Sequence, residues 1–444
     1  MAADFDRLTH YLLRYPAKFH PPVVRALLER YTTPGDVVLD PFCGSGTLLV
    51  EARTLGRTSI GVDVDPFAVA VTMAKVRRYQ VPRLRDSLAL VLDAMAKHRR
   101  KDSEYRLRMF EDLTERQYLG QVSPVRTYVP ALPNLFHWFR RYVIVDLARL
   151  RRVIELARIP KTHKLLLRVI FASIIRNASN ADPVPVSGLE VTAHMLRRDK
   201  NGRLIDPFAL FERALNRAVD ACAVFRATAD PDVSAAALRH DATQLHPSVV
   251  ARVDAVITSP PYHGAVDYYR RHKLEMFWLG LVKSHEERLE LLTEYIGRPK
   301  VPRRHPFVGE SKTVGDGLAA RWEHRIRSVS EDRANAFRHY LVAMAKFFRA
   351  LLPLPSGAPV VLVVGHSTWN SVRIPTTELF AEIAGDSFRL QEVLWYPVKN
   401  RYMSYSRHNE ANIDKEYVVV FERSDRLARS ARPAARRGAV VNRE

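Results

Sequence analysis

The run "TSPPY" at 258–262 sets Ser259, two prolines and an aromatic ring side by side at the end of an apolar stretch. Proline lacks an N–H and fixes its own φ, so Pro260 and Pro261 leave a carbonyl pointing outward in a stiff, extended turn. Such a turn can hold an acceptor in place, with Tyr262 at the exit; a strand end followed by a core tyrosine is the plainer alternative. A second run, "DPFCGSGT" at 40–47, places Gly44 and Gly46 where backbone can approach a ligand closely, with helix N–H groups behind them. No Lys follows Gly46 and residue 49 is Leu, so this is neither the triphosphate loop nor the G-x-G-x-x-G dinucleotide fingerprint. Asp63, at the end of the next strand, is suited to accept from a ribose diol, and Asp40 to attract a cationic amino group. Singly, each residue has a structural explanation: a tight glycine turn, a helix cap at Asp63 or Asp65, a core Phe42. In strand–turn–helix–strand–acid order they point together to a bound adenosine-type ligand.

Positioning these residues falls first to an alternating unit over 33–76. "DVVLDPF" reads as a buried parallel strand, "GSGTLLVEARTLG" as a turn entering a helix that stops at Gly56, and "RTSIGVDVD" as a second strand. Asp65 is placed as an N-cap with Pro66 at the first helical position. This βαβα unit is the repeating piece of a doubly wound α/β sheet. From about 85 to 235 the pattern turns helical, as in "RRYVIVDLARLRRVIELARI" and "KTHKLLLRVIFASIIRNAS". Strands resume at "AALRHDATQL", "RVDAVITS", "APVVLVVGHS", "LQEVLWYP" and "KEYVVVFE". The expected organisation is an α/β domain split into halves at 1–84 and 236–423, a helical insert at 85–235, and a disordered basic tail at 424–444.

Composition narrows the class of partner. The chain has 444 residues, 47% hydrophobic, enough for a large core, and 69 Lys and Arg against 48 Asp and Glu give a net charge of +21. That excess suits a polyanion, nucleic acid first and an acidic membrane surface second. Cys43 and Cys222 are the only cysteines, so there is no disulfide framework and no zinc-type ligand cluster, and no metal is expected. With no signal-peptide pattern and no apolar run of about 18 residues, a cytoplasmic protein is expected.

"VVLDPFCGSGT", "GVDVDP" and "TSPPY", with "YPAKFHPPVVRALLERY" upstream, resemble the cofactor site and catalytic motif of amino-methylating DNA methyltransferases. That family makes N4-methylcytosine or N6-methyladenine. The resemblance covers 11–76 and 236–422 and implies a class I methyltransferase-like fold, with seven strands of which the last is antiparallel. It implies S-adenosylmethionine as cofactor, with Asp40, Phe42, Gly44, Gly46 and Thr47 around the methionine part and Asp63 on the ribose. Asp241 would meet the adenine amino group, and Lys18 and Phe19 would close the pocket. Ser259 and the Pro260 carbonyl, held by Pro261, would accept from the exocyclic amine of a flipped base on which Tyr262 stacks. Ser rather than Asp or Asn before the prolines leans, within the family, to cytosine N4 over adenine N6. The motif order resembles the alpha group, in which the insert reads the target, although Asp241 lies after it.

Double-stranded DNA is the implied partner, and a cognate restriction endonuclease is compatible with the family. Among the basic stretches 96–108, 268–273 and 298–312, the run with Tyr269, Arg270, Arg271 and Lys273 follows the catalytic turn closely and is assigned to DNA phosphates. An RNA enzyme acting on guanine N2, whose usual residue before the prolines is Asn or Asp, is the runner-up. A basic nucleic-acid-binding protein on a degenerate fold is the non-enzymatic alternative. Cys43, inside the cofactor turn and outside a Pro-Cys setting, reads as packing, not as a nucleophile.

Overall fold

The computed structural model describes residues 7–15, 18–183, 189–263, 268–298, 301, 317–369, 372–398 and 415–424. Tyr269 falls in a described helix, but its side chain lies outside the description, as do most of the 298–312 stretch and the tail beyond 424.

Seven strands form the central sheet: β1 (Val37–Asp40), β2 (Thr58–Asp63), β3 (Ala235–Arg239), β4 (Ala255–Thr258), β5 (Pro359–Gly365), β6 (Phe388–Pro397) and β7 (Lys415–Arg423). Their spatial order is 3-2-1-4-5-7-6. β1 to β5 run parallel, and β7 is antiparallel to both β5 and β6. This is the methyltransferase-like α/β sheet that the resemblance implied.

The pattern of the strands explains the layers. Side chains of period two leave opposite faces of a strand. Val38, Ile257, Val361 and Val363 pack on one face with helices α1 (Pro21–Tyr31) and α2 (Thr47–Thr54). Leu39, Val256, Val360 and Leu362 pack on the other with two helices from the second half of the chain, Glu331–Ala350 and Thr376–Ala384. Strands buried on both faces read as unbroken apolar runs, which is why the sequence shows them as runs and not as alternations.

The helix after β2, α3 (Pro66–Lys75), starts as expected: the Asp65 side chain accepts from Phe67 N at 2.7 Å, with Pro66 in the first turn. Between α3 and β3 the described residues hold helices and no strand. The main ones are α4 (Val81–Ala96), α5 (Arg141–Leu156), α6 (Lys161–Ala178) and α7 (Pro207–Thr228). They share one core with Phe67, Val71 and Ala74 of α3, so the helical region rests on the sheet's own helix layer. That core also takes in α8 (Lys273–Leu279), whose buried Trp278 meets the rings of Phe139 and Phe171 edge-on at 5.7 and 6.1 Å. A segment from the second half of the sequence therefore belongs physically to the helical core, and it carries the "YYRRHK" run to the boundary between the two.

Candidate active site

In an open α/β sheet, ligands bind beyond the carboxyl ends of the strands where the winding reverses direction, here between β1 and β4. The two strand ends are tied across that point: Thr258 Oγ1 donates to Asp40 Oδ1 at 2.6 Å, although the residues lie 218 positions apart. Phe42 N donates to the same oxygen at 3.3 Å. Asp40 is 2% exposed, and burial pushes its carboxyl up to about 7 against the pull of those two donors.

The glycine turn closes just beyond. Gly44 and Gly46 have φ of +49° and +74°, a region most residues avoid, and Gly46 N donates to Cys43 O at 2.7 Å. The turn is pinned from α3, where Thr72 Oγ1 donates to Gly44 O and Lys75 Nζ to Ser45 O, both at 3.0 Å. Lys75 has no solvent exposure, and burial pushes its ammonium well below the ordinary lysine range. A Cβ at position 46 would come within 2.5 Å of Thr72 Cγ2. Gly46→Ala, which combines this overlap with a left-handed backbone, is expected to lose on the order of 3 kcal/mol in urea unfolding.

Asp63 completes the turn. Its Oδ2 accepts from Gly44 N and its Oδ1 from Asp65 N, each at 2.9 Å. Burial first, then the neighbouring Asp65 carboxylate, push Asp63 up to about 7, while the two backbone donors hold it down. Cys43 is buried against the same turn, and burial keeps its thiol well above the usual range, in the protonated form.

These groups open into one cleft, continuous with solvent. Among the residues named from the sequence, Lys18, Phe19, Asp40, Phe42, Gly44, Thr47, Asp63, Asp241, Ser259 and Pro261 line it. Gly46, Pro260 and Tyr262 do not; Gly46 shapes the turn from behind, Pro260 is buried, and Tyr262 is half-buried against the Glu331–Ala350 side of the sheet. Asp241 caps the short turn after β3, accepting from Thr243 N at 2.8 Å. Ser259 Oγ donates to Val363 O of β5 at 3.1 Å, which leaves the hydroxyl lone pairs for a donor in the cleft. The Tyr262 hydroxyl donates to Glu416 Oε1 at 3.0 Å.

Arg270, Arg271 and Lys273, in the basic run after the Pro-Pro turn, stand outside the cleft lining. Arg270 is exposed and 3.7 Å from Glu190, and Lys273 Nζ lies 5.6 Å from the Trp138 ring centroid. Sequence reasoning missed Thr72, Lys75, Tyr295 and Ile296. The last two line the cleft from a loop with no motif of its own. Lys75 did carry a signal, as the one charge in the apolar run of α3.

Residues 6–74 match the family described as DNA methylase, of N6/N4 type. A type II methyltransferase of Methanocaldococcus jannaschii, M.MjaII, is 37% identical over 84 residues, 19% of this chain and 16% of that protein. M.BsoBI of Geobacillus stearothermophilus, also a type II methyltransferase, is 39% identical over 67 residues, 15% of this chain and 13% of its own length. A tRNA (guanine(10)-N2)-dimethyltransferase of M. jannaschii is 32% identical over 104 residues, 23% of this chain and 27% of the relative. The matched stretch thus spans 13 to 27% of the length of these relatives. Methyltransferases of this family use S-adenosylmethionine as methyl donor.

The cleft of this chain fits that molecule. Its carboxyls include those of Asp40 and Asp63, and it offers the hydroxyls of Ser45 and Thr47, which are buried with no hydrogen-bond partner among the described residues. A Cβ at Gly44 would have only Tyr15 and Phe42 within 4 Å, at 3.8 and 4.0 Å, so the backbone there faces open space. Among the described residues no cluster of His, Cys, Asp and Glu is arranged for a metal ion, and no helix is long and apolar enough to cross a membrane.

Proposed function

We propose that this chain methylates DNA at the exocyclic N4 of cytosine, with N6 of adenine as the nearest alternative. The observation that carries this reading is a shared cleft: Asp40, Gly44 and Asp63 line it from the glycine turn, and Ser259 and Pro261 from the catalytic turn. A donor held by the first set and a base amine held by the second would meet there. S-adenosylmethionine, when bound, supplies a methyl group activated by its sulfonium. Asp40 would attract the cofactor's ammonium, Asp63 would accept from its ribose hydroxyls, Asp241 would meet its adenine amine, and Lys18 and Phe19 would close over it.

An aromatic amine is a poor nucleophile because its lone pair is delocalised into the ring. Acceptors at Ser259 Oγ and the Pro260 carbonyl would bend it toward tetrahedral geometry and localise that pair on nitrogen. Transfer would form the N–CH3 bond as the S–CH3 bond breaks, and the amine proton would then leave to solvent, Ser259 being too weak a base to take it. The protein's share is alignment and stabilisation of charge developing at nitrogen. Tyr262 would stack on the extruded base, offsetting part of the few kcal/mol that unstacking costs. The helical region 85–235 would read the target, with Tyr269, Arg270, Arg271 and Lys273 on the phosphates. A cytoplasmic setting, and a restriction endonuclease acting on the same target, complete the proposal.

A second reading has its own support: the tRNA guanine-N2 methyltransferase is among the relatives. One experiment separates the readings. Protein is incubated with methyl-labelled S-adenosylmethionine and either unmethylated mixed-sequence duplex DNA or total RNA, and the products are digested to nucleosides. Label in N4-methylcytosine is expected. N6-methyladenine would keep the chemistry and change the base, whereas label confined to RNA guanine would overturn the proposal in favour of the second reading.

A further inference from the structure

The catalytic turn is held from an unexpected direction. Glu416, near the start of β7, sits directly opposite Tyr396 of β6 in the antiparallel register. Its two carboxylate oxygens are divided between two phenols: Oε1 accepts from Tyr262 at 3.0 Å and Oε2 from Tyr396. Burial and the neighbouring Glu416 push both phenols above the ordinary tyrosine range, so both remain donors at any working pH. The backbone of Tyr262 is confined as well, since a Cβ at Gly297 would come within 3.1 Å of its carbonyl. Residues 294–296, just before Gly297, line the cofactor cleft.

We propose that Glu416 is a positioning residue for the base: by taking the Tyr262 hydroxyl it fixes the angle at which that ring meets the extruded nucleobase. The inference rests on the methyl-transfer reading above. A tyrosine tethered only at its backbone can swing about two side-chain torsions, and a stacking surface free to swing cannot align an amine with a methyl group. The Glu416 tether comes from the antiparallel pair β6–β7, 154 positions away in the chain, while the Ser259 hydroxyl of the turn itself also neighbours the Tyr262 phenol. Tyr396 takes the second oxygen and so keeps the carboxylate from rotating.

The chemistry of the carboxylate provides the test. In Glu416→Gln the amide keeps one accepting oxygen and turns a donating NH2 to the other phenol, so Tyr262 and Tyr396 compete for that oxygen and the loser can only accept. The kcat for methyl transfer to DNA is expected to fall about 10-fold, with KM for S-adenosylmethionine within about two-fold, because misplacement of the stacking surface acts on the transition state. Removing the competing phenol should restore the tether: Glu416→Gln with Tyr396→Phe is expected to recover most of the lost kcat. A purely structural role would make that double variant worse than either single one, and this outcome would overturn the proposal. So would a Glu416→Gln variant with unchanged kcat, or one whose loss lies in cofactor KM.

A readout independent of the substrate is the fluorine resonance of 3-fluorotyrosine at position 262, assigned by its disappearance in Tyr262→Phe. It should shift or broaden in Glu416→Gln and return in the double variant. If no nucleic acid is methylated yet the resonance behaves this way, the tether stands and the proposed function falls. An unchanged resonance would overturn the tether itself.

Discussion

Ser259→Ala is expected to lower methyl transfer to DNA by about 100-fold or more while S-adenosylmethionine affinity stays within about two-fold. Removing one preorganised acceptor or donor aimed at developing charge has effects of this order, about 10²–10³ in kcat. The side chain is suited to be such a group because its proton is committed to Val363 O at 3.1 Å. Alanine also leaves that carbonyl without its side-chain donor, a stability loss of about 1 kcal/mol, which a thermal melt can separate from the catalytic effect. Single-turnover rates with saturating cofactor, set beside cofactor titration of the same variant, check the split. Retained transfer in a folded, cofactor-binding Ser259→Ala protein would remove the proposed role of the turn.

Asp40→Asn is expected to move stability and binding in opposite directions. Asp40 accepts both of its hydrogen bonds through Oδ1, so an asparagine amide oxygen can keep both. Burial raises the native carboxyl from 3.8 to about 7. A folded-state pKa above the unfolded one means that the favourable contribution is complete below about pH 4 and is lost as pH rises through about 7. Above pH 7 the unliganded protein therefore holds a buried carboxylate at a net cost of up to a few kcal/mol, which asparagine removes. At pH 8 the unliganded variant should melt at or above the parent temperature, with the difference shrinking toward pH 4. The same carboxylate is the proposed partner of the cofactor ammonium, and a charge-assisted bond of that kind contributes about 1.5–3 kcal/mol. Affinity for S-adenosylmethionine should therefore fall by about 10- to 100-fold. Melting curves from pH 4 to 8, together with calorimetric titration at pH 8, test both halves. A variant that is less stable at pH 8 and binds cofactor normally would contradict the assignment of Asp40 to the ligand.

The trade is characteristic of a binding site: the Asp40 and Asp63 carboxyls are both raised to about 7 by burial, in a cleft that would hold a cationic ligand. Neither would be chosen for the stability of the empty protein.

Much of this was legible in the chain, for local reasons. Period-two and period-3.6 patterns arise within about ten residues, so β1, α2, β2 and the cap at Asp65 could be read directly from "DVVLDPFCGSGT" and "GVDVDP". The positive φ at Gly44 and Gly46 is a local demand that glycine, lacking a Cβ, meets without strain. The acidic strand ends and the Pro-Pro turn are likewise chemical properties of short runs. These features bounded the kind of ligand and the kind of group presented to it.

Contacts between distant segments were not legible in this way. Nothing within either run says that Thr258 donates to Asp40, that Ser259 donates to a carbonyl 104 positions later, or that Tyr262 ends on Glu416. Strand order decides the first two: β1 beside β4, and β4 beside β5, is a choice among sheet topologies that all share the same local patterns. The antiparallel pairing of β6 and β7 decides the third, because it sets Glu416 opposite Tyr396 and within reach of the turn. Lys75 shows both halves of the division. A lysine in an apolar helical run is visible in the sequence as an anomaly, but that its ammonium holds the Ser45 carbonyl follows only from α3 packing behind the glycine turn. Local residue types determined which chemistry the chain can offer, and long-range packing determined which groups meet, because a burial or hydrogen-bond partner is chosen by the whole fold and not by its neighbours in sequence.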